Sequence, residues 1–275
     1  MLTILTHIKS VSANNAQVCL NHGMSSQAKL AVITGASSGI GAATALLLAD
    51  NGYHVIAAAR RMDRLQELAG KNSAIEICQL DVTDQTSVDA LVTQLDGRSV
   101  DVLVNNAGGA FDAAPVLDSD PEIWKKSFDV NVVGSVRMTK AIAPAMIKAG
   151  KGHIVVMSST AAQVAYENGG SYVAAKFAER SLANTLRLEL NGTPIRVTEI
   201  APGMVKTDEF ALVRNSGDAT KAAKVYEGVD FPLTAEDIAE SIRWSAMLPT
   251  HVNIDSLTIR PVAQAAAHKV HRTKN

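Results

Sequence analysis

Tyr172 and Lys176 stand four residues apart in the stretch SYVAAKFAER, so on a helix they share one face. A phenol is a poor base unaided, with an ordinary pKa of about 10, and an ammonium beside it favours the phenolate. The pair suits a reaction in which hydride reaches a carbonyl carbon and the oxygen left behind takes a proton. Alone it is a spacing that chance also produces. Ser159, at the end of the HIVVMSS run that precedes Tyr172, offers a hydroxyl that would hold the substrate oxygen from a second side. Asn131, in FDVNVVG, is a candidate anchor for a water beside Lys176, or simply a buried amide bonded to a neighbouring carbonyl.

A second set of residues points to an anionic ligand. TGASSGIG, Thr34 to Gly41, joins an apolar run to an amphipathic one, so Gly35, Gly39 and Gly41 occupy a turn where side chains would block a close approach. Backbone amides at the start of the following helix would then meet a pyrophosphate. The spacing is GxxxGxG rather than GxGxxG, and such glycines also make ordinary tight turns. Asp81, in QLDVTD, is placed to accept from an adenine amino group or to cap the next helix. NNAG, Asn105 to Gly108, follows the fourth apolar run, either at a ligand-binding strand end or as strand-end Asn turns. An NAD site usually carries a carboxylate about 20 residues past the glycines. Here AAARRMDRL puts Arg60 and Arg61 in that place. Guanidinium groups there suit a 2′-phosphate, with Ser37 as a further donor, so NADP is expected over NAD; as a plain alternative, both arginines begin a solvated helix.

The elements that must position these groups follow from hydrophobic patterning. Runs rich in Val and Ile at Leu30–Thr34, His54–Ala59, Ile75–Leu80, Val100–Asn105, His153–Ser158, Ile195–Ile200 and Ser256–Ile259 alternate with amphipathic stretches at 39–50, 61–69, 84–95, 121–149, 171–190 and 235–247. That alternation predicts a parallel sheet wrapped by helices, with strands buried on both faces. Asn51-Gly52 closes the first helix, Asp84 caps the third, and Thr234 with Asp237 starts the last. Residues 201–233 form a long irregular connection, a length that in a compact domain usually covers a ligand.

Size and charge narrow the class. A chain of 275 residues can bury a large core as one domain. With a formal net charge of −1, no global field favours nucleic acid or an anionic membrane. No apolar run approaches a membrane span. Two cysteines, Cys19 and Cys78, fit a reducing, cytoplasmic setting. Residues 1–28 read as a polar, disordered extension or an upstream start, Met24 lying just before the first strand; a targeting segment fits less well, because the stretch is neither amphipathic nor Arg-rich. Residues 29–275 form the domain. The tail PVAQAAAHKVHRTKN is expected to cover a neighbouring subunit or to fray.

TGASSGIG, NNAG, Asn131, Ser159, Tyr172xxxLys176 and Pro202-Gly203 together resemble the short-chain dehydrogenase/reductase family over roughly residues 29 to 260. The resemblance implies a single-domain, Rossmann-type, doubly wound α/β fold of about seven parallel strands, hydride transfer at a nicotinamide, and no metal. It makes Asn131, Ser159, Tyr172 and Lys176 a catalytic tetrad: Tyr172 the acid/base, Lys176 lowering its pKa and holding the nicotinamide ribose, Ser159 (not adjacent Ser158) positioning the reacting oxygen, Asn131 supporting the relay water. It extends the cofactor-binding set to Ser38 and Ile40 in the glycine loop, Val82 beside Asp81, and Ala107 and Gly108 in NNAG. Pro202, Gly203, Val205 and Thr207 resemble the segment that receives the carboxamide. The region after Pro202 is similar to the NADP-dependent 3-hydroxy acid dehydrogenases that also oxidise serine and allo-threonine, commonly as homotetramers. Such a substrate needs a cation for its carboxylate, and Arg214 is the candidate, with Lys206 behind it. Reduction of another carbonyl, such as a 3-oxoacyl thioester, a sugar or a diketone, stays open as the alternative, and more remotely a non-catalytic nucleotide-binding protein.

Overall fold

The computed structural model describes residues 28–273; the expected N-terminal extension, apart from Ala28, lies outside them. Seven strands form one parallel sheet: β1 (Lys29–Thr34), β2 (Tyr53–Ala59), β3 (Ile75–Gln79), β4 (Val102–Asn105), β5 (Gly152–Met157), β6 (Ile195–Pro202) and β7 (Ser256–Ile259). Their order is β3-β2-β1-β4-β5-β6-β7. The order reverses direction between β1 and β4, and the crevice outside the carboxyl ends at such a reversal is where open α/β sheets bind ligands.

Alternation along β1 shows how both faces are covered. Ala31 and Ile33 face a layer containing Leu48, Ile238 and Ile242, which belong to α1 (Gly39–Asp50) and to the C-terminal helix at Ala235–Met247. Leu30 and Val32 face the opposite layer, with Leu91, Met138 and Ile142, from α3 (Gln85–Leu95) and α5 (Gly134–Ala149). α2 (Met62–Ala69) and α6 (Gly170–Glu189) complete the two layers. Helix starts follow local chemistry: Asp84 accepts from the Thr86 amide, and Thr234 and Asp237 make a reciprocal capping box.

Two stretches depart from expectation. The helix expected over 121–149 is α4 (Pro121–Phe128), a π turn at Asp129–Val133, and α5. Wider i→i+5 turns of this kind concentrate at functional sites, and this one carries Asn131. Residues 201–233 are not irregular throughout, for they contain α7 (Phe210–Arg214) and α8 (Ala219–Tyr226) ahead of α9 (Ala235–Met247). A bridge between Val205 and Leu233 closes the base of this excursion.

The tail does not fray within the described residues. Strands β8 (Gln264–Ala266) and β9 (Lys269–Val270) pair antiparallel. Arg272 donates to the Val225 carbonyl, and the Thr273 amide donates to the Gly228 carbonyl. The tail therefore ties down the far end of α8 within its own chain.

Candidate active site

A cavity of about 550 Å³ opens at the carboxyl ends of the strands, walled by the glycine loop, the ends of β2 to β6, α6 and α7. Gly35, at φ +67°, has no room for a side chain: a Cβ would stand 2.9 Å from the Ala107 Cα and from the side-chain nitrogen Nδ2 of Asn106. The close approach is stitched together by Thr34, whose hydroxyl accepts from the backbone amides of Asn106 and Ala107. Asn106 Nδ2 donates to the Thr34 carbonyl at 2.9 Å. Ser37, Ser38, Gly39, Ile40, Arg60, Arg61, Asp81, Val82, Ala107, Gly108, Pro202, Gly203, Val205 and Thr207 all line the cavity. The chemistry fits a dinucleotide: a glycine-lined helix start, a carboxylate and two guanidinium groups in one cleft. Burial pushes the Asp81 carboxyl up, but the Thr83 amide and hydroxyl and the charges of Arg60 and Arg137 outweigh it and hold it below its ordinary value. Gly41 lies behind the cavity wall, packed against the Gly35 carbonyl.

Asn105 is the exception within NNAG. Its side chain points into the core and donates to Thr139 of α5, whereas Asn106 faces the cavity. Alternation along an extended strand puts consecutive side chains on opposite faces, so only one of the two asparagines can reach the cleft.

Tyr172, Lys176, Ser158 and Ser159 meet on one side of the cavity. Lys176 Nζ lies 5.5 Å from the centre of the Tyr172 ring and donates to the Met157 carbonyl at 2.8 Å. Ser159 Oγ accepts from the Ala161 amide and donates weakly to the Pro202 carbonyl at 3.4 Å. Asn131 is fully buried one layer deeper. Its Oδ1 accepts from the Gly109 amide, and its Nδ2 donates to the carbonyls of Gly109 and Ser127. Asn131 therefore holds the Gly108–Gly109 wall of the cleft directly, and its amide already has partners.

Three residues of the cavity were not singled out from sequence. The Phe210 ring packs edge-on against Tyr172 at 5.6 Å. Arg214 lies over the ring of Tyr166 at 5.4 Å and donates to its hydroxyl and to the Asn168 carbonyl, so a stacked Tyr166 orients the expected carboxylate-binding arginine. Lys206 is exposed and outside the cavity, so it does not support Arg214. Glu209 caps the cleft at the opposite end, where Arg61 grips it.

Glu179, outside the cavity and also not singled out from sequence, is buried behind Lys176, at 2.7 Å from its Nζ. The approach is badly aligned, and Glu179 Oε2 keeps no true hydrogen bond. Burial would discharge the Lys176 ammonium, yet the Glu179 carboxylate and Tyr172 hold its pKa above the ordinary lysine value. Burial, reinforced by Glu199, drives the Glu179 carboxyl up from 4.5 to about 7 despite the lysine. A carboxyl that holds its proton more tightly folded than unfolded makes stability fall as pH rises through the interval between its two pKa values. Glu179→Gln removes this dependence. Its unfolding free energy relative to wild type is expected to rise between pH 4.5 and about 7 by on the order of 2 kcal/mol, read from urea melts across that range.

Comparison with known proteins agrees with this geometry. The family model described as short chain dehydrogenase matches residues 29–217. An uncharacterised oxidoreductase of Mycobacterium tuberculosis is 49% identical over 241 residues, covering 88% of this chain and 94% of that protein. An NADP-dependent 3-hydroxy acid dehydrogenase of Salmonella typhi is 40% identical over 250 residues, covering 89% of this chain and all of the relative. Among solved structures, the closed form of a serine dehydrogenase complexed with NADP+ superposes with a TM-score of 0.84 at 39% identity, covering 89% of this chain and 100% of the other. A glycine-lined sheet crevice, a tyrosine–lysine–serine cluster beside it and matches of this extent have one reading: the chain belongs to the short-chain dehydrogenase family.

Proposed function

We propose that the protein is an NADP-dependent dehydrogenase that interconverts a small hydroxy acid, of the 3-hydroxy acid, serine or allo-threonine type, with its carbonyl form. The observation that carries the substrate class is Arg214, stacked on Tyr166 in the wall of the cavity that also holds Ser159 and Tyr172. A planar fork held by an aromatic ring suits a carboxylate. The cofactor assignment rests on Arg60, Arg61 and Ser37 at the end of the cleft, and the 3-hydroxy acid and serine dehydrogenases named above are among the relatives that support it.

When bound, the cofactor supplies or accepts the hydride. Ser159 holds the substrate oxygen, and Tyr172 gives it a proton in reduction or removes one in oxidation. Lys176 places a positive charge beside the phenol, which favours the charge that develops there. Phe210 and Tyr166 line the apolar side of the pocket and shed water from the reacting carbon.

An initial-rate panel of serine, allo-threonine, 3-hydroxypropionate and 3-hydroxybutyrate with NADP and NAD tests this reading; no activity on any of the four with NADP rules it out. Arg214→Ala is expected to raise KM for hydroxy acids by about 10- to 100-fold, the loss of one charge-assisted pair, with little change for neutral alcohols. Equal effects on both substrate types remove Arg214 from the carboxylate site.

The same reading carries a homotetramer in the cytoplasm. Ile147 on α5 and Phe177 and Leu188 on α6 are exposed apolar side chains available to a partner subunit. Among the described residues, no helix is long and apolar enough to cross a membrane.

A further inference from the structure

We infer that Glu209 is a cofactor-selectivity residue, an internal carboxylate that occupies the seat of the 2′-phosphate and that a phosphate-bearing cofactor must displace. The inference rests on the NADP reading above. Arg61 meets Glu209 as a fork: Nη1 donates to Oε1 at 2.6 Å and Nη2 to Oε2 at 2.8 Å. Ser38 Oγ donates to the same Oε2 at 2.9 Å. Arg61 also donates through Nε and Nη2 to Ser37 Oγ. The donors gathered on this carboxylate are those the glycine loop and the β2–α2 turn hold out at the cofactor end of the cleft.

Arginine and serine donors arranged in this way select a compact oxyanion with several acceptor oxygens. Glu209 meets that requirement with its two carboxylate oxygens. Arg61 holds its carboxyl below the ordinary glutamate value, so it is charged at neutral pH. A phosphate brought onto the same donors meets a like charge, and the two compete for one guanidinium. Arg60 lines the same end of the cleft and makes no ion pair among the described residues, which leaves it for the phosphate alone. A cofactor lacking the phosphate has no such conflict, because a carboxylate accepts a ribose hydroxyl readily. Glu209 therefore narrows the gap between the two cofactors.

The contact also reaches the substrate side. Glu209 immediately precedes α7; Phe210, the first residue of that helix, packs on Tyr172, and Arg214 ends it against Tyr166. Release of Glu209 frees the cofactor end of a helix whose other end holds the substrate wall.

The test is Glu209→Gln, an isosteric change at a partly exposed side chain. Dissociation constants for NADPH and NADH are read by fluorescence titration, with a thermal melt confirming the fold. NADPH is expected to bind about fivefold tighter, with NADH unchanged or weaker, a gain of roughly one pair's worth of relieved repulsion. NADPH binding that is unchanged or weaker in the variant overturns the inference, because Glu209 would then support the phosphate. Equal tightening for both cofactors also overturns it, because the effect would be one of net charge and not of the seat. A wild-type protein that prefers NADH fails the NADP reading by itself, whatever Glu209→Gln does.

Discussion

Tyr172→Phe is expected to lower kcat by about 10³-fold or more, the upper part of the range for loss of a general acid/base, while NADPH affinity stays close to wild type. The substitution removes one oxygen and leaves the ring. That ring keeps its contact with Phe210 at 5.6 Å and its place over Lys176, so packing around the cofactor is preserved. Among the described residues, the Tyr172 hydroxyl makes no hydrogen bond to protein, so no internal donor or acceptor is orphaned by its loss. What disappears is the proton beside the substrate oxygen, worth about 4 kcal/mol of barrier at that rate change. Single-turnover rates with saturating cofactor, paired with a fluorescence titration, separate the two quantities. Turnover at the wild-type rate would remove Tyr172 from the chemistry, and lost cofactor binding would make the residue structural.

The reason this residue was legible in sequence is geometric. Tyr172 and Lys176 lie on one helical turn, and a helix converts spacing directly into position. Glu179 was open to the same logic: it follows Lys176 by three positions and so shares its face, but a glutamate on an amphipathic helix reads as a solvated charge until the burial is seen. Asn131 was identified by its motif, and a buried amide bonded to carbonyls was one of its two expected settings, but the π turn that carries it was not foreseen. A π turn inserts one extra residue per turn, and neither the 3.6 period nor the composition of FDVNVVG announces it. The seven strands were visible because parallel strands are buried on both faces and read as continuous apolar runs. The wall made by residues 201–233 was visible only in part: its role over the cleft and Pro202, Gly203, Val205, Thr207 and Arg214 were expected, but Glu209 and Phe210 were not. Its contacts with Tyr172, Tyr166 and Arg61 join positions far apart in sequence, and no local pattern encodes which loop folds over which cleft. The same limit explains NNAG: the motif gives two adjacent asparagines, and only the strand's alternation decides that Asn106 faces the cleft and Asn105 the core.

Arg61→Ala is expected to weaken NADPH binding by about 10- to 100-fold, the worth of one or two charge-assisted hydrogen bonds, and to leave NADH within about a factor of three. Arg61 is held in place before any ligand arrives, by Ser37, Ser38 and Glu209. A guanidinium fixed in this way loses little rotamer freedom when a phosphate replaces the carboxylate. The ion pair itself adds little to folding, since both side chains are more than a third exposed and such surface pairs contribute about 0–1 kcal/mol. The loss on substitution therefore falls on binding and not on stability, and a thermal melt within about 2 °C of wild type is the companion expectation. Raising the salt concentration screens an exposed phosphate contact, so the wild-type preference for NADPH narrows in salt more than that of the variant. In the Arg61→Ala background, Glu209 has lost the cation that seats it. Adding Glu209→Gln there should change NADPH affinity less than it does in wild type, and the difference measures how far the two residues act as one device. An Arg61→Ala protein that still prefers NADPH would transfer the phosphate to Arg60.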